Sequence, residues 1–265
     1  MLDVRSGSAS DAGSVRPSNE DSVFAGSRVF VVADGMGGHA AGEVASRLTV
    51  DRMAGLDGRE DLKPEDVRSQ LYLSNQDILD SVRLNPEQAG MGATVAGLAL
   101  TWFAGSRHWV VFNAGDCRVY RFAQGALVQL TVDHTEAGEL VAAGILDVAD
   151  LATHPSRHVV TRALGSDPAP EPDVWMLPPA AGETFLLCSD GLCAELADAD
   201  IVEVMRGESV PYRAAEALVG QAVKRGGRDN VSVIIVMHMD EAAALADADD
   251  DDERTMPRPT SQEAS

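Results

Sequence analysis

Four aspartates stand next to apolar runs of the kind that form strands. Asp34 follows Val-Phe-Val-Val-Ala and precedes Gly35, and Asp190 follows Phe-Leu-Leu-Cys-Ser. Asp116 comes after Val-Val-Phe-Asn-Ala-Gly, and Asp229 stands just before the last apolar run. A strand fixes the direction of the residue at its end, and glycine lets a backbone carbonyl approach a ligand closely. Four such carboxylates would repel one another without cations between them, and Mg²⁺ and Mn²⁺ prefer oxygen ligands. A single Asp-Gly pair, by contrast, is more often only a turn.

The charge balance restricts the class of partner. The 265-residue chain carries 21 basic against 42 acidic residues, a formal net charge of -21. Such a chain repels nucleic acid and anionic membrane surfaces, so we expect neither as a partner. The length suits one large domain, or a domain with a tail, and is ample for a two-layer core.

The cysteines and the apolar runs bear on the compartment. Cys117, Cys188 and Cys193 are an odd number, which gives no disulfide framework. Neither Cys188 nor Cys193 has the adjacent CxxC partner that would favour zinc. We interpret all three as reduced, buried residues of a cytoplasmic protein. No run of about 18 apolar residues predicts a transmembrane helix, and the first residues do not read as a signal peptide.

Hydrophobic periodicity predicts a mixed α+β domain. Alternating runs separated by glycine-containing turns indicate an antiparallel meander in the middle of the chain, and three- and four-residue spacings indicate helices. Helices on the outer faces of packed antiparallel sheets would satisfy this burial pattern. Strands are predicted over 28–33, 93–101, 107–113, 118–122, 127–130, 183–189 and 231–238, and helices over 41–52, 64–82, 139–143 and 214–224.

Two segments depart from this pattern. Between 133 and about 165 the periodicity weakens, and a long irregular stretch inside a compact domain is often a functional flap. Residues 240–265 contain an acidic run and few core-forming residues, which predicts a disordered acidic tail. The folded domain is therefore expected over 1–239.

Six short segments follow one another in an order that resembles a known family. Each segment is a weak signal alone, but all six with ordinary spacing are a strong one. The chain resembles the short bacterial members of the PPM (PP2C-like) family of metal-dependent protein serine/threonine phosphatases, over roughly residues 6–238. The segments are Val-Arg-Pro-Ser-Asn-Glu-Asp at 15–21, Ala-Asp-Gly-Met-Gly-Gly at 33–38, Gly-Ala-Thr at 92–94, Asn-Ala-Gly-Asp-Cys-Arg at 113–118, Ser-Asp-Gly-Leu at 189–192 and Arg-Asp-Asn-Val-Ser at 228–232.

The resemblance implies both a fold and a reaction. The fold would be an α+β, four-layer α-β-β-α sandwich with metals in a cleft at one end. The reaction would be hydrolysis of phosphoserine and phosphothreonine in proteins, in which a metal-activated water attacks phosphorus directly. The cofactors would be Mn²⁺ or Mg²⁺, two in each active site, with a weaker third site seen in bacterial relatives. No covalent intermediate on the enzyme is implied.

The resemblance also assigns the residues that hold the first two metals. Asp34 would bridge them, and the Gly35 carbonyl would join the second metal. Asp190 and Asp229 would complete the first.

Four further positions match residues placed around this pair of metals. Glu20 and Asp21 match acidic residues that act partly through water, and Asp116 would form the third site together with Asp190. Arg16 matches the arginine that holds the substrate phosphate, for which a planar guanidinium with paired donors is well suited.

The chain departs from the family pattern at two positions. Many eukaryotic members have a histidine at the position of Met36, proposed to protonate the leaving alkoxide, and methionine has no proton to give. His39 or metal-bound water would have to replace it, and a plain surface role for His39 is an equal alternative. Cys117 stands where the family usually has serine, a change that should be tolerated.

Three functional readings follow from these residues. The first is a phosphatase, with phosphoserine and phosphothreonine proteins as substrates and a eukaryotic-like bacterial Ser/Thr kinase as its opponent. The second is a non-catalytic module that binds phosphoproteins, which the complete set of aspartates disfavours. The third keeps the enzyme but takes a phosphorylated anti-sigma-factor antagonist as substrate. A monomer is the default expectation for the oligomeric state.

Overall fold

A computed structural model describes residues 4–38, 41–151 and 153–239 of the chain. The predicted tail at 240–265 and His39 lie outside these residues. No helix within them is both long and apolar enough to cross a membrane.

Ten strands form two antiparallel sheets of five strands each. The β1 sheet has the order β1-β10-β9-β6-β7, and the β2 sheet has the order β2-β3-β4-β5-β8. The strands are β1 (Val4–Asp11), β2 (Asp21–Ala25), β3 (Val29–Met36), β4 (Gly92–Phe103), β5 (Ser106–Ala114), β6 (Arg118–Ala123), β7 (Ala126–Gln129), β8 (Asp173–Leu177), β9 (Thr184–Cys188) and β10 (Val231–His238).

Helices cover the outer face of each sheet. The pair α1 and α2 packs on the β2 sheet, and α6 and α7 pack on the β1 sheet. Helix α2 begins at Pro64, as predicted, because proline at the first helical position gives up an N–H that has no helical partner. The helices are α1 (Ala41–Ala54), α2 (Pro64–Leu84), α3 (Glu136–Ala142), α4 (Val148–Leu151), α5 (Asp190–Glu195), α6 (Asp198–Gly207) and α7 (Pro211–Arg225), with a short 3-10 helix at Pro86–Gln88.

The core consists of three apolar layers, which strand alternation produces. Along β3, Val29 and Val31 pack under the helices of the β2 sheet, while Phe30 and Val32 face the other sheet. In β9, Leu186 packs under α6 and α7, while Phe185 faces the gap between the sheets. The predicted four-layer α-β-β-α sandwich is therefore confirmed.

Six of these strands and α-helices have no counterpart among the predicted elements: β1, β2, β8, α4, α5 and α6. Strand β1 has the sequence Val-Arg-Ser-Gly-Ser-Ala-Ser-Asp, whose small polar residues give no apolar alternation. It pairs with β10 along its whole length. A Cβ at Gly7 would lie 2.2 Å from the backbone nitrogen of Tyr212, so small residues are what allow α7 to pack closely on this strand.

One carboxylate fixes the turn between β2 and β3. The two oxygens of Asp57 accept backbone N–H groups from Ser27 at 3.1 Å, Arg28 at 2.7 Å and Val29 at 2.9 Å. Burial raises the pKa of Asp57, but these hydrogen bonds outweigh it and leave the pKa below its ordinary value. The ionised side chain thus stabilises the start of the central strand β3.

Candidate metal centre

Side-chain alternation places two carboxylates at one end of the gap between the sheets. Phe30 and Val32 of β3 face that gap, so Asp34, two residues further on, faces the same way. Asp21 is the cross-strand partner of Asp34 in β2, and directly opposite residues lie on one face. The apolar layer between the sheets therefore ends in a pair of aspartates.

The β1 sheet supplies two hydroxyl groups opposite this pair. Ser189 directly follows β9, and Ser232 belongs to β10, next to the gap-facing Ile234. The Ser189 Oγ donates to Asp21 Oδ2 at 2.7 Å and accepts the Ser232 N–H at 3.0 Å. Asp21 Oδ1 is buried and has no hydrogen-bond partner among the described residues. One oxygen of Asp21 thus joins the two sheets, and the other is left for a ligand.

Three more aspartates arrive at the same place from strand ends. Asp190 begins α5 two residues after β9, Asp229 comes two residues before β10, and Asp116 lies two residues after β5. The carboxyl groups of Asp34 and Asp190 lie close enough to interact. The charges of Asp21, Asp116, Asp190 and Asp229 all raise the pKa of Asp34. Five carboxylates from both sheets therefore converge, as the strand-end positions predicted for four of them.

Burial and like charge make Asp21, Asp34, Asp116 and Asp190 reluctant to ionise. Burial is the largest cause for Asp34, whose pKa lies well above its ordinary value, and the charge of Asp21 comes next. Burial also raises the pKa of Asp21 to about 7, against the hydrogen bond from Ser189. It raises the pKa of Asp116 to about 7 as well, with the charge of Asp190 adding to it. A cluster of this kind holds protons that a divalent cation displaces.

Two glycines create room for a backbone oxygen beside Glu20. A Cβ at Gly35 would lie 2.0 Å from the Gly42 carbonyl oxygen and 2.7 Å from that of Glu20. A Cβ at Gly42 would lie 2.7 Å from the Gly35 carbonyl oxygen and 2.9 Å from the carboxyl carbon of Glu20. The Gly35 carbonyl and the Glu20 carboxylate therefore lie together at the start of α1, where only glycine fits on either side.

Arg16 lies at the edge of the same cluster. Its Nη2 donates to Asp229 Oδ2 at 2.6 Å, and its side chain is 51% exposed. The hydrogen bond to Asp229 is the main reason that the pKa of Arg16 is raised, and the charges of Asp34 and Glu20 contribute. The guanidinium thus combines contact with the carboxylates and access from solvent, as a phosphate-binding group requires.

Asn230 attaches the loop that carries Arg16 and Glu20, a role that the sequence analysis misses. The buried Asn230 side chain accepts the Glu20 N–H at 2.8 Å. It also donates to the carbonyls of Ala12 at 3.0 Å and Ser18 at 2.9 Å. At Ser189 the available signal was a polar residue directly after the apolar run Phe-Leu-Leu-Cys, whereas Asn230 stands in a polar stretch that gives no such signal.

The segment between 133 and 165 is fastened near Asp116. His134 is buried, and its ring Nδ1 accepts the Gly115 N–H at 3.1 Å. The backbone N–H of His134 donates to the Gly115 carbonyl at 3.0 Å. Because Nδ1 accepts, Nε2 carries the proton and faces Asp173 Oδ2 at 3.2 Å. Burial lowers the pKa of His134, against this contact with Asp173. Residues 133–165 contain α3 and α4, so the predicted flap is only partly irregular.

Comparison with known proteins assigns the chain to a family. Residues 17–219 match the sequence model of a family described as Protein phosphatase 2C. The chain belongs to this family. It is 38% identical over 274 residues to the serine/threonine protein phosphatase PstP of Mycobacterium tuberculosis, covering 100% of this chain and 52% of the relative. The chain thus spans about half the length of that relative.

Shorter relatives and solved structures agree with this assignment. The serine/threonine phosphatase stp of Listeria innocua is 32% identical over 237 residues, which is 85% of this chain and 92% of the relative. A crystal structure of Mycobacterium tuberculosis PstP/Ppp superposes with a TM-score of 0.84 at 36% identity, covering 91% of this chain and 100% of that chain. The PstP catalytic domain in complex with two manganese ions gives a TM-score of 0.81 at 36% identity, over the same shares of the two chains.

The donor set fits the divalent cations that such a phosphatase uses. All the converging groups are oxygen donors, which suit Mg²⁺ and Mn²⁺. The unpartnered Asp21 Oδ1 is free to bind a cation, and the close packing at Gly35 and Gly42 brings the Gly35 carbonyl beside the Glu20 carboxylate as further oxygen donors. Within the described ranges, no three His, Cys, Asp or Glu side chains are already arranged to hold a metal ion. The carboxylates are gathered, but the ligand set is not closed.

The two departures from the family pattern have different outcomes. Met36 lies beside Gly92, its cross-strand partner in β4, and its thioether has no proton to donate. Cys117 is buried, and its Sγ lies 3.1 Å from the Thr94 hydroxyl, the kind of contact that a serine would also make. His39 remains a prediction, since it lies outside the described residues.

Proposed function

We propose that this chain hydrolyses phosphoserine and phosphothreonine in proteins with the help of two divalent cations. The observation that carries the proposal is the convergence of five carboxylates from both sheets at one end of the sandwich. Family membership and the names of the relatives support the same chemistry.

Within this proposal, the cations are held by the residues that the family resemblance assigns. Asp34, the Gly35 carbonyl, Asp190 and Asp229 would hold the two cations. A third, weaker site uses Asp116 with Asp190. When bound, the cations neutralise charge on the phosphoryl group and activate water for attack on phosphorus.

The other residues bind the substrate and hold the carboxylates in place. Arg16 binds the substrate phosphate through its exposed guanidinium, and its ion pair with Asp229 breaks when it does so. Ser189 holds Asp21 through a hydrogen bond to Oδ2, and Asn230 holds the loop that carries Arg16 and Glu20. His134 anchors the segment 133–165 next to the loop of Asp116. Each of these contacts orients a ligand before substrate arrives, which limits the reorganisation that the reaction requires.

Several finer expectations belong to the same proposal. The substrates are phosphoproteins made by a bacterial Ser/Thr kinase of eukaryotic type, and the enzyme acts as a monomer in the cytoplasm. Two Mn²⁺ ions in a PstP structure support the number of cations for that protein, and we extend this number to the present chain. Protonation of the leaving alkoxide falls to His39 or to water, because Met36 is incapable of it.

The test is phosphate release from a phosphothreonine peptide after chelator has stripped the protein of metals. We expect turnover only when millimolar-range Mn²⁺ or Mg²⁺ is restored. Asp34→Asn and Asp229→Asn should each lower turnover more than about a hundredfold, because each removes a direct ligand. Asp61→Asn is a matched control, since the Asp61 side chain is 78% exposed and outside the cluster.

Two results would overturn the proposal. Turnover that survives Asp34→Asn would exclude the assigned metal bridge. A folded, metal-loaded protein that binds phosphopeptide tightly without releasing phosphate would favour the non-catalytic binding module.

A further inference from the structure

Two of the three cysteines lie close together at the edge of the candidate metal centre. The Sγ atoms of Cys188 and Cys193 are 3.8 Å apart. Cys188 is the last residue of β9 and is fully buried, while Cys193 lies in α5 and is partly exposed. From the sequence they are interpreted as separate buried thiols, because a spacing of five residues matches no familiar cysteine motif. The turn from β9 into α5 is what brings them together.

A disulfide between these residues needs only a small movement. A disulfide joins its sulfur atoms at about 2.05 Å, so the two Sγ atoms would have to approach by about 1.8 Å from their present 3.8 Å. We propose that Cys188 and Cys193 form an oxidative modification site, at which a hydroperoxide converts the pair to a disulfide that closes a ring around residues 189–192.

The surroundings of Cys193 favour it as the sulfur that reacts first. Its Sγ lies 3.4 Å from the Tyr120 hydroxyl, and Arg118 Nη1 donates to that hydroxyl at 2.8 Å. Contact with Cys188 and the charge of Arg118 lower the pKa of the Cys193 thiol. Cys117 has different neighbours, since it lies against Thr94 in the apolar layer between the sheets.

The chemistry balances with hydrogen peroxide as the oxidant. The Cys193 thiolate attacks one peroxide oxygen, the O–O bond breaks, and hydroxide leaves, so that Cys193 becomes a sulfenic acid. The Cys188 sulfur then attacks the sulfenic sulfur, the S–O bond breaks, and water leaves as the S–S bond forms. The net reaction oxidises two thiols to one disulfide and reduces one peroxide to two waters. A reducing dithiol reverses it by thiol–disulfide exchange.

The ring would enclose residues that the candidate metal centre depends on. Ser189 holds Asp21, and Asp190 belongs to the carboxylate cluster. Gly191 has no space for displacement toward β10, since a Cβ there would lie 2.0 Å from the Asn230 carbonyl oxygen. Asp190 is the first residue of α5, the helix that carries Cys193, so we expect that drawing Cys193 toward β9 disturbs Asp190. The consequence for turnover rests on the proposed phosphatase function, but the formation of the disulfide does not.

The disulfide is tested without any assay of activity. The full chain is treated with a small excess of hydrogen peroxide, alkylated without reduction, and digested with trypsin. Residues 163–206 contain Cys188 and Cys193 but no Lys or Arg before Arg206, so both thiols stay in one peptide. We expect this peptide to lose two hydrogen atoms and to take up no alkyl group, and prior treatment with dithiothreitol to restore two alkyl groups. In Cys117→Ser, the matched control, the same peptide should still form the bond.

Mn²⁺ binding is then compared between the oxidised and the reduced protein. We expect the oxidised protein to need about tenfold or more Mn²⁺ for half-saturation in a thermal-shift titration, as expected when groups that position a metal ligand are disturbed. Cys193→Ser should retain the reduced behaviour after peroxide treatment. Peptide 163–206 that remains fully alkylated after peroxide, or that gains oxygen atoms instead of losing hydrogen, would overturn the proposal. A disulfide that forms while Mn²⁺ titrations stay identical would overturn its link to the metal centre. A protein without phosphatase activity but with the disulfide would contradict the proposed function alone.

Discussion

Replacing Asn230 with alanine should both destabilise the protein and loosen the metal centre. Asn230 is the only side chain in the described residues that hydrogen-bonds the backbone of the loop 12–20 at Ala12, Ser18 and Glu20 together. That loop carries Arg16 and Glu20, and it is followed directly by Asp21, the first residue of β2. Alanine removes all three hydrogen bonds without introducing a charge or a larger side chain.

The magnitude follows from the number and burial of these bonds. Each intramolecular hydrogen bond contributes about 0.5–1.5 kcal/mol net, so three of them amount to roughly 3 kcal/mol of the free energy of unfolding. The side chain of Asn230 is only 6% exposed, so water does not replace the lost partners easily. For a domain of this size, a change of that magnitude lowers Tm by about 6–12 °C.

Urea unfolding followed by circular dichroism measures the change in the free energy of unfolding. Asn85→Ala is the matched control, because Asn85 is exposed and its amide makes only a 3.4 Å contact with the Ser81 carbonyl. Its free energy of unfolding should change by less than about 0.5 kcal/mol. Phosphopeptide turnover at saturating Mn²⁺ measures the second effect, and here we expect KM to rise because Arg16 loses its fixed position.

Two outcomes would refute the reasoning about Asn230. A free energy of unfolding within about 0.5 kcal/mol of the parent would mean that water satisfies the loop as well as the amide does. Lost stability with unchanged KM would mean that the loop keeps Arg16 in place by other contacts, and that Asn230 serves the fold alone.

Three further substitutions test other contacts. Arg16→Ala should lower kcat/KM about 10- to 100-fold, because a charge-assisted bond to phosphate is lost. Arg16→Lys should recover only part of the lost kcat/KM, because lysine lacks the planar pair of donors. Equal kcat/KM for the parent and both variants would exclude phosphate binding by Arg16. Gly35→Ala should cost about 1–3 kcal/mol of stability in denaturant unfolding, since its Cβ would meet the Gly42 carbonyl at 2.0 Å, whereas Gly220→Ala, with open space in α7, should be neutral or slightly stabilising. Asp57→Asn should lower the free energy of unfolding by about 2 kcal/mol at pH 7. Because the folded-state pKa of Asp57 is lowered, the difference in stability between parent and variant should shrink as pH falls below the unfolded-state pKa and through the folded-state pKa. A stability difference that stays constant down to acid pH would rule out the ionised carboxylate as its cause.

The sequence predicts the buried parts of this molecule better than its edges. Strand β10 is predicted with its observed bounds, and β4, β5 and β6 within two residues, because long apolar runs bounded by glycine leave few alternatives. Strand β1 is missed because its small residues are selected by the close approach of α7, a contact between distant parts of the chain. Propensity carries no information about such contacts.

In the candidate site, too, the sequence predicts residues at strand ends but not residues whose role depends on contacts in the folded state. Asp34 and Asp190 are readable from sequence because a strand end fixes where they lie. Asn230 and Ser189 are not, since their importance depends on the backbone groups and the carboxylate that they reach in the folded state. The closeness of Cys188 and Cys193 is likewise a product of the turn between β9 and α5, and the sequence interval alone does not reveal it.

The origin of the carboxylates in both sheets has a consequence for the life of the protein in a cell. A cation that binds only the folded state adds RT ln(1 + [L]/Kd) to its stability, about 2.7 kcal/mol at a hundred times Kd. Under the proposed function, the same ions that serve hydrolysis would fasten one layer of the sandwich to the other. Protein deprived of manganese or magnesium would then open more often and be degraded faster by proteases that attack open forms. Metal supply would thereby control how much of the enzyme exists as well as how fast each copy works.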